Sequence, residues 1–222
     1  MAKRSIIGIT GQMGSGKSTA ASYLKEKYGY TEYAFANPLK DIAVVMGFNV
    51  DQVYGTQDQK LEINKMWGVS GREFLQKFGT DICRDTLPSL FPNNDFGQNT
   101  IWIKLFEKYC VDNPGVNIVV SDVRFPDEAR FITSAGGSII RIDRTVGPTG
   151  SSTIAKRIKH TDELDKACDA PELKIHRKPM TGILAHKSET PIPECYVSYV
   201  IKNNYSIKNL HDDIDEALKE LL

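Results

Sequence analysis

The feature that most constrains the fold is the run GQMGSGKS at residues 11–18. Its spacing is a glycine, four residues, and then glycine, lysine and serine, which is the pattern of a phosphate-binding loop. The apolar run Ile6–Ile9 precedes this loop, and a helix-forming stretch follows it as far as Gly29. The pattern therefore predicts a buried strand, a loop that surrounds phosphates with backbone N–H groups, and a helix whose N-terminus faces the anion.

The residue types of this loop match the groups of a nucleoside triphosphate. Glycines let the backbone approach the phosphates closely, Lys17 brings a positive charge to the β- and γ-phosphates, and the Ser18 hydroxyl can bind magnesium. We expect the loop's ATP-binding residues to be Gly11, Met13, Gly14, Ser15, Gly16, Lys17, Ser18 and Thr19. Because ATPases, GTPases, kinases and motors all share such a loop, it predicts nucleotide binding without fixing the reaction.

Composition excludes several partner classes. The 222 residues include 28 basic and 28 acidic ones, and nucleic-acid binders usually carry a basic excess, so no nucleic-acid partner is expected. No apolar run approaches the ~20 residues of a membrane span. The four cysteines have no CxxC spacing and no signal peptide is evident, which predicts reduced thiols and a cytoplasmic location.

Apolar strand-like and amphipathic helix-like stretches alternate along the chain. This alternation predicts an α/β fold in which a five-stranded parallel sheet carries helices on both faces, in three layers, within a single domain of residues 1–222. Strands are expected near residues 5–10, 31–36, 117–121, 138–142 and 196–201. Residues 49–69 look irregular, and one continuous helix is expected from about Ser70 to Asp85.

Residues 145–193 break the alternation and are expected to form an inserted lid. Between residues 141 and 187, Lys and Arg outnumber Asp and Glu by ten to six. This local excess fits a phosphate clamp, with a solvated surface loop as the alternative.

Two further motifs place charged residues where ligands bind. SDVRFPDEA follows the third expected strand, and ligands of open parallel sheets bind beyond the carboxyl ends of strands. There Asp122 could hold magnesium through water and Arg124 could grip an acceptor phosphate, the alternative being a helix cap with a surface ion pair. From GREFLQKFGTD onward, several polar residues recur at steps of three or four, which fits a cleft or, slightly better, a solvated helix face. They are Arg72, Gln76, Thr80, Asp81 and Arg84.

The order of the motifs resembles that of the bacteriophage deoxynucleoside monophosphate kinases, within the P-loop nucleoside monophosphate kinase superfamily. The matching stretches are YAFANPLKD, YGT, GREFLQKFGTD, IWIKLF, SDVRFPDEA, GGSIIRIDR, HKSE and VIKNNYSIKNL, and they span most of the chain. More distantly, the chain is similar to animal-type phosphomevalonate kinases and dephospho-coenzyme A kinases. Residues 145–185 look longer than the family's usual connection, which leaves the lid geometry open.

The resemblance implies transfer of the ATP γ-phosphoryl group to a deoxynucleoside monophosphate (dNMP), with Mg²⁺ as the cofactor. In that family role Lys17, Arg124 and Arg144 would be catalytic, Ser18 and Asp122 would hold the metal, and Arg141 and Asn203 would add to the ATP site. The acceptor would lie against the helical region 37–112, with Lys40, Arg72, Gln76, Asp81, Arg124 and Glu189 as its ligands. The resemblance also suggests a homodimer and, if a phage encodes the chain, a location in the host cytoplasm. A kinase of another phosphorylated metabolite, and an NTPase that transfers phosphate only to water, remain the alternatives.

Overall fold

The computed structural model describes residues 4–91, 100–144, 156–157 and 191–222 of the chain. The chain divides into two compact units. One, which we call the sheet unit, comprises Met1–Tyr33 and Gly115–Leu222, and the other, the helical unit, comprises Ala34–Pro114. The helical unit covers nearly the same residues as the expected acceptor-binding region, whose role stays a prediction.

The described chain contains both strands and helices, with a run of helices between the second and third strands. The strands are β1 (Ile6–Thr10), β2 (Thr31–Tyr33), β3 (Ile118–Val120), β4 (Ser138–Asp143), β5 (Lys156–Arg157) and β6 (Tyr199–Lys202). The helices are α1 (Lys17–Tyr28), α2 (Ala36–Val45), α3 (Val50–Tyr54), α4 (Gln57–Leu61), α5 (Gly71–Gln76), α6 (Leu87–Leu90), α7 (Ile101–Asp112), α8 (Pro126–Ser134) and α9 (Ile207–Leu221). A π-helical segment, Lys77–Thr86, joins α5 to α6, and a 3₁₀ turn, Glu194–Tyr196, precedes β6.

In the sheet unit, the strands lie in the order β2–β3–β1–β4–β6–β5. The first five are parallel, and the central strand β1 pairs with both β3 and β4, so that Gly8 lies opposite Val120 on one side and Ile139 on the other. The expected five-stranded parallel sheet is therefore confirmed. The structure adds β5, a two-residue antiparallel strand that pairs with β6 and that the sequence did not predict.

Helices cover both faces of this sheet because side chains alternate between the faces along each strand. Ile7 of β1 lies in one buried cluster with Leu24 of α1 and Ile214 of α9. Gly8 points to the opposite face, where a Cβ atom would lie 3.0 Å from Ile132 Cδ1 of α8. The helix that follows β3 can therefore approach the sheet closely, and the three-layer α/β/α arrangement is confirmed.

A polar cluster at the surface joins α1 to α9. The Asp215 carboxylate accepts hydrogen bonds from the Tyr23 and Tyr28 hydroxyls at 2.8 Å each and from Lys27 Nζ at 2.6 Å. The His211 ring stacks on Tyr23 at a centroid distance of 3.8 Å. Although partial burial opposes the shift, these hydrogen bonds hold the pKa of Asp215 below its usual value. The cluster fixes α9 against the helix that follows the phosphate-binding loop.

The helical unit has an apolar core of its own. Ala43, Phe48, Val53 and Phe74 are buried together in it. The Phe74 ring lies 4.6 Å from the Phe48 ring and stacks on Phe78 at 5.2 Å, centroid to centroid. These aromatic contacts hold α2, α3 and α5 around one centre.

The expectation that residues 49–69 are irregular is wrong, because α3 and α4 lie within this segment. Each of these short helices begins with a capping box. The Gln52 side chain accepts a hydrogen bond from the Asn49 N–H at 3.2 Å, and the Gln59 side chain accepts one from the Thr56 N–H at 2.8 Å. A cap followed three residues later by glutamine is a helix-start pattern visible in the sequence.

Asn64 holds the end of this segment through a buried hydrogen-bond network. Its side-chain amide donates to the Gln52 Oε1 atom and to the Gly47 carbonyl, both at 3.0 Å. Its side-chain oxygen accepts from the N–H groups of Met66 at 3.0 Å and Trp67 at 3.3 Å. All four hydrogen bonds of this buried amide are made, so it joins two stretches of backbone and the Gln52 side chain.

The continuous helix expected from Ser70 to Asp85 changes type part-way. The Ser70 hydroxyl caps it by accepting from the Glu73 N–H at 3.2 Å, but from Lys77 onward the segment is π-helical. Because hydrogen bonds in a π-helix span five residues instead of four, α-helical spacing does not carry across this boundary. The α-helical spacing that groups Arg72 and Gln76 with the residues beyond Lys77 therefore does not apply, while the roles of Arg72, Gln76 and Asp81 as acceptor ligands stay predictions.

In the described part of the chain, none of the helices combines the length and the apolarity that a membrane crossing requires. Cys83 and Cys110 are free thiols, whereas Cys195 is disulfide-bonded, so the expectation of reduced thiols fails at Cys195. The expected lid, residues 145–193, lies outside the described residues except for 156–157 and 191–193, and Glu189 lies outside them too.

We expect Asn64→Ala to lower the free energy of unfolding by roughly 2–4 kcal/mol, because Gln52 and three backbone groups lose buried partners. Lys65→Ala, a change at the exposed neighbouring residue, should cost less than about 0.5 kcal/mol. Urea unfolding followed by circular dichroism measures both. Equal midpoints for the two variants would show that the network adds nothing to stability.

Candidate active site

Four parallel strands deliver the predicted site residues to one edge of the sheet. The phosphate-binding loop, residues 11–16, follows β1, Asp122 follows β3, Arg144 follows β4 and Asn203 follows β6. Because these strands are parallel, their carboxyl ends share an edge, where ligands of open α/β sheets bind. The topology therefore brings residues together that are far apart in the sequence.

The loop forms a cradle that its glycines make possible. Gly11, Gly14 and Gly16 all have positive φ angles, of 144°, 77° and 108°. A Cβ atom on Gly11 would lie 2.2 Å from the Ile142 carbonyl oxygen, so only glycine fits there. The Ser15 hydroxyl is buried in the loop and has no hydrogen-bond partner among the described residues, which suits a site that an anion completes.

Lys17 lies at the first position of α1 and reaches back over the loop. Its Nζ donates hydrogen bonds to the carbonyls of Gly11 at 2.8 Å and Gln12 at 2.7 Å. Burial lowers the pKa of Lys17, the positive charge of Arg124 lowers it further, and Asp122 opposes the shift. Lys17 and Arg124 repel each other beside the glycine loop. Binding of a polyanion there is favoured, because its negative charge relieves this repulsion.

Two side chains that follow other strands donate hydrogen bonds to carbonyls of the loop. The Asn203 side-chain amide donates to the Ser15 carbonyl at 2.8 Å. Arg144 donates from Nη1 to the Gly14 carbonyl at 3.3 Å. Two successive carbonyls of the loop are thus fixed by residues that follow β6 and β4.

A cavity of about 420 Å³ opens beside the loop, within the size range of small-ligand sites. The structure brings seven of the predicted residues together around it, namely Gly14, Gly16, Lys17, Ser18, Thr19, Arg144 and Asn203. Three further residues line it that sequence reasoning missed: Tyr205, Ile207 and Leu210. They add one aromatic and two aliphatic side chains to the lining of the cavity.

A sequence signal for this wall did exist. Ile207 and Leu210 are three residues apart at the start of α9, directly after the Ser206 cap, whose hydroxyl accepts from the Asn209 N–H at 3.3 Å. Two apolar residues at that spacing share one helix face. The sequence does not show that β6 pairs with β4. That pairing places this helix face beside the phosphate-binding loop.

Glu128 is a fourth residue that sequence reasoning missed. Its carboxylate is buried, with the residue only 2% exposed, and accepts from the N–H groups of Arg124 at 2.9 Å and Phe125 at 3.1 Å. It therefore fixes the backbone that carries Arg124, which is itself an exposed residue. Glu128 lies three positions after the N-cap residue Phe125, and Pro126 occupies the first helical position. This spacing is a sequence signal for such a cap.

Arg141, predicted as an ATP ligand, is ion-paired on the sheet. Its Nε lies 3.2 Å from the Asp143 carboxylate, and its Nη1 donates to Glu194 in the turn before β6. These contacts join β4 to the segment that leads into β6. Its contact with ATP stays a prediction.

The predicted acceptor ligands of the helical unit lie on several of its elements. Lys40 Nζ of α2 lies 4.9 Å above the centroid of the Tyr54 ring, and the Tyr54 hydroxyl donates to Asp41 at 2.6 Å. Partial burial together with this hydrogen bond raises the pKa of Tyr54 to about 12. On α5 and the π-helical segment lie the half-buried Arg72 and Gln76 and the exposed Asp81.

A relative from Acanthamoeba polyphaga mimivirus, named "Putative deoxynucleotide monophosphate kinase", is 42% identical over 142 residues. The match covers 63% of this chain and 74% of the relative. The chain belongs to the deoxynucleotide monophosphate kinase family. It is accordingly a kinase, and the resemblance seen in the motifs is confirmed. No protein-family model matches the chain.

Solved structures resemble the kinase only loosely. A dephospho-CoA kinase from Campylobacter jejuni aligns over 99% of this chain and 98% of its own, at a TM-score of 0.42 and 13% identity. A gluconokinase from Sinorhizobium meliloti 1021 aligns over 100% and 95%, at a TM-score of 0.39 and 13% identity. Scores this low support no conclusion about the substrate of the kinase.

The predicted magnesium ligands are Ser18 and Asp122. Ser18 lines the cavity, and the negative charge of Asp122 acts on Lys17. In the described ranges, no group of three or more His, Cys, Asp or Glu side chains could hold a metal alone. A serine hydroxyl and a carboxylate are oxygen ligands of the kind that Mg²⁺ takes alongside phosphates and water, so magnesium binding by these two residues stays a prediction.

We expect Gly11→Ala to abolish measurable ATP binding, since the added methyl group would clash with the Ile142 carbonyl and distort the cradle. Gly14→Ala is the matched control. It meets no atom within 4 Å and should cost only about 1 kcal/mol for its positive φ. Titration calorimetry with MgATP measures both variants. Tight binding by Gly11→Ala would mean that the cradle is not the nucleotide site.

Proposed function

We propose that the kinase transfers the γ-phosphoryl group of ATP to the 5′-phosphate of a deoxynucleoside monophosphate, giving the deoxynucleoside diphosphate and ADP. One observation carries the proposal: a glycine cradle with Lys17 over it, in a chain 42% identical to a relative named for this substrate class. The cradle accounts for binding of the triphosphate, and the relative's name supports the acceptor.

The donor side follows from the residues around the cavity. The N–H groups of the loop would bind the phosphate chain, and Lys17 would neutralise charge on the group being transferred. Ser18 and, through water, Asp122 would hold Mg²⁺, which supplies charge neutralisation across the β- and γ-phosphates when bound. Arg144, already over the loop at Gly14, would close this end against water and so limit hydrolysis.

The acceptor side rests on arginines. In the reaction an oxygen of the acceptor phosphate forms a bond to the γ-phosphorus while the bond to the β–γ bridging oxygen breaks, and ADP leaves. The protein's task is in-line positioning and charge neutralisation. Arg124 can bind the acceptor phosphate in a bidentate fashion, because Glu128 fixes its backbone and its side chain reaches solvent. The remaining proposed acceptor ligands are Lys40, Arg72, Gln76, Asp81 and Glu189.

The decisive experiment measures ADP release from MgATP with each deoxy- and ribonucleoside monophosphate in turn. We expect a deoxynucleotide-dependent rate that Lys17→Ala lowers by roughly 10²–10³ in kcat, because charge on the transferred group is no longer neutralised. Lys208→Ala, an exposed lysine on α9, is the matched control and should retain full activity. ADP release that no nucleotide acceptor stimulates would refute the proposed acceptor and leave the metabolite kinase and the NTPase.

Arg124→Ala should raise the KM for the acceptor by roughly 10–100-fold, as lost bidentate phosphate contacts do, with little change in the KM for ATP. Arg124→Lys keeps the charge but not the paired donors, so an intermediate value is expected. Steady-state kinetics with each substrate varied separately provides the test. Equal increases in both KM values would remove Arg124 from the acceptor site.

A further inference from the structure

The loop after β6 contacts the phosphate-binding loop through the side chain of Asn203. Asn203 uses its side-chain amide as a donor to the Ser15 carbonyl at 2.8 Å. The approach depends on Gly16, because a Cβ atom there would lie 2.4 Å from Asn203 Nδ2. The glycine before Lys17 thus makes room for the asparagine as well as allowing the turn.

Asn203 is itself held on the sheet. Its backbone N–H donates to the Asp143 carbonyl at 2.8 Å, directly beyond the pairing of Asp143 with Lys202 that ends the β4–β6 ladder. The side chain therefore starts from a fixed point of the sheet edge. Because the Asn203 backbone is fixed, its side-chain amide fixes the direction in which the Ser15 carbonyl points.

The Ser15 carbonyl and the Gly16 N–H belong to the same peptide unit, so the orientation of one determines the orientation of the other. The described chain contains no cis peptide bond, and in a planar trans peptide the carbonyl and the N–H point in opposite directions. Fixing the Ser15 carbonyl toward Asn203 therefore fixes the Gly16 N–H away from it. That N–H belongs to the loop whose amides would bind the phosphates.

We propose that Asn203 is a positioning residue of the phosphate-binding loop, which presents the Gly16 N–H to phosphate oxygens by holding the Ser15 carbonyl outward. The inference rests on the proposed binding of ATP by this loop, and it changes the role that the sequence suggested for Asn203. A residue that touches the nucleotide elsewhere would discriminate among nucleotides. A residue that orients the loop acts on any polyphosphate, with or without a base.

The test compares MgATP with inorganic triphosphate as calorimetric ligands of the full chain. We expect Asn203→Ala to weaken both ligands by the same factor, about tenfold, as loss of one oriented hydrogen-bond donor does. Asn203→Asp keeps the shape but turns an acceptor toward the Ser15 carbonyl, so both ligands should weaken further. Asn204→Ala, at the exposed neighbouring asparagine, should bind both as the unchanged chain does.

NMR spectra of ¹⁵N-labelled protein report on the Gly16 amide directly. They therefore distinguish a role in orienting this N–H from a general contribution to stability. In the unchanged chain the Gly16 amide resonance should shift strongly when triphosphate binds, and in Asn203→Asp that shift should be largely lost. A loss of ATP affinity with unaltered triphosphate affinity would overturn the inference in favour of a direct contact with the nucleoside. Unaltered affinity for both would overturn it outright.

The same measurements separate this inference from the proposed function. A chain that binds triphosphate but shows no acceptor-stimulated ADP release refutes the proposed reaction and leaves the positioning role standing. A chain that binds neither MgATP nor triphosphate refutes both.

Discussion

The parallel pairing of β1 with β3 and β4 is the constraint on which the rest of the site depends. Parallel strands end at the same edge, so three loops with no relation in sequence are forced to meet there. The glycine loop supplies backbone donors, the loop after β3 supplies Asp122 and Arg124, and the loop after β4 supplies Arg144. Without that pairing the glycines would form a flexible turn, and the charges would be scattered over the surface.

Much of this arrangement could be predicted from the sequence because its signals are local. The strand, glycine loop and α1 follow one another within 23 residues, Ile6–Tyr28, so their order alone predicts the cradle and the position of Lys17. Buried parallel strands such as Ile118–Val120 appear as short apolar runs. The caps of the short helices α3 and α4 are equally local, but the polar composition of this segment resembles that of irregular structure. The π-helical segment has no comparable local signal, because it keeps a helical composition while changing its hydrogen-bond spacing.

The parts of the site that were missed depend on tertiary contacts. Glu128 looks like an ordinary helix-start residue, and its burial beneath Arg124 follows only from how α8 meets the sheet. Tyr205 and Ile207 look like surface residues, and they become a cavity wall only because β6 lies beside β4. Arg141 is assigned to the ATP site by the family resemblance alone. The structure pairs its guanidinium with Asp143 and Glu194, and its contact with ATP stays a prediction.

The hydrogen bond from Asn203 to Ser15 spans 188 positions of the chain. Closing so long a stretch costs chain entropy before any contact returns free energy, so sheets of this topology fold slowly and complete their distant pairings late. The glycine loop between β1 and α1 can form early, but the cavity lining contributed by the segment after β6 and by α9 forms only when these elements have joined the sheet. A ligand that binds only the finished cavity therefore draws the folding equilibrium toward the complete sheet unit, in proportion to how far its concentration exceeds its dissociation constant. In this chain, the nucleotide would act as the last structural element to be added.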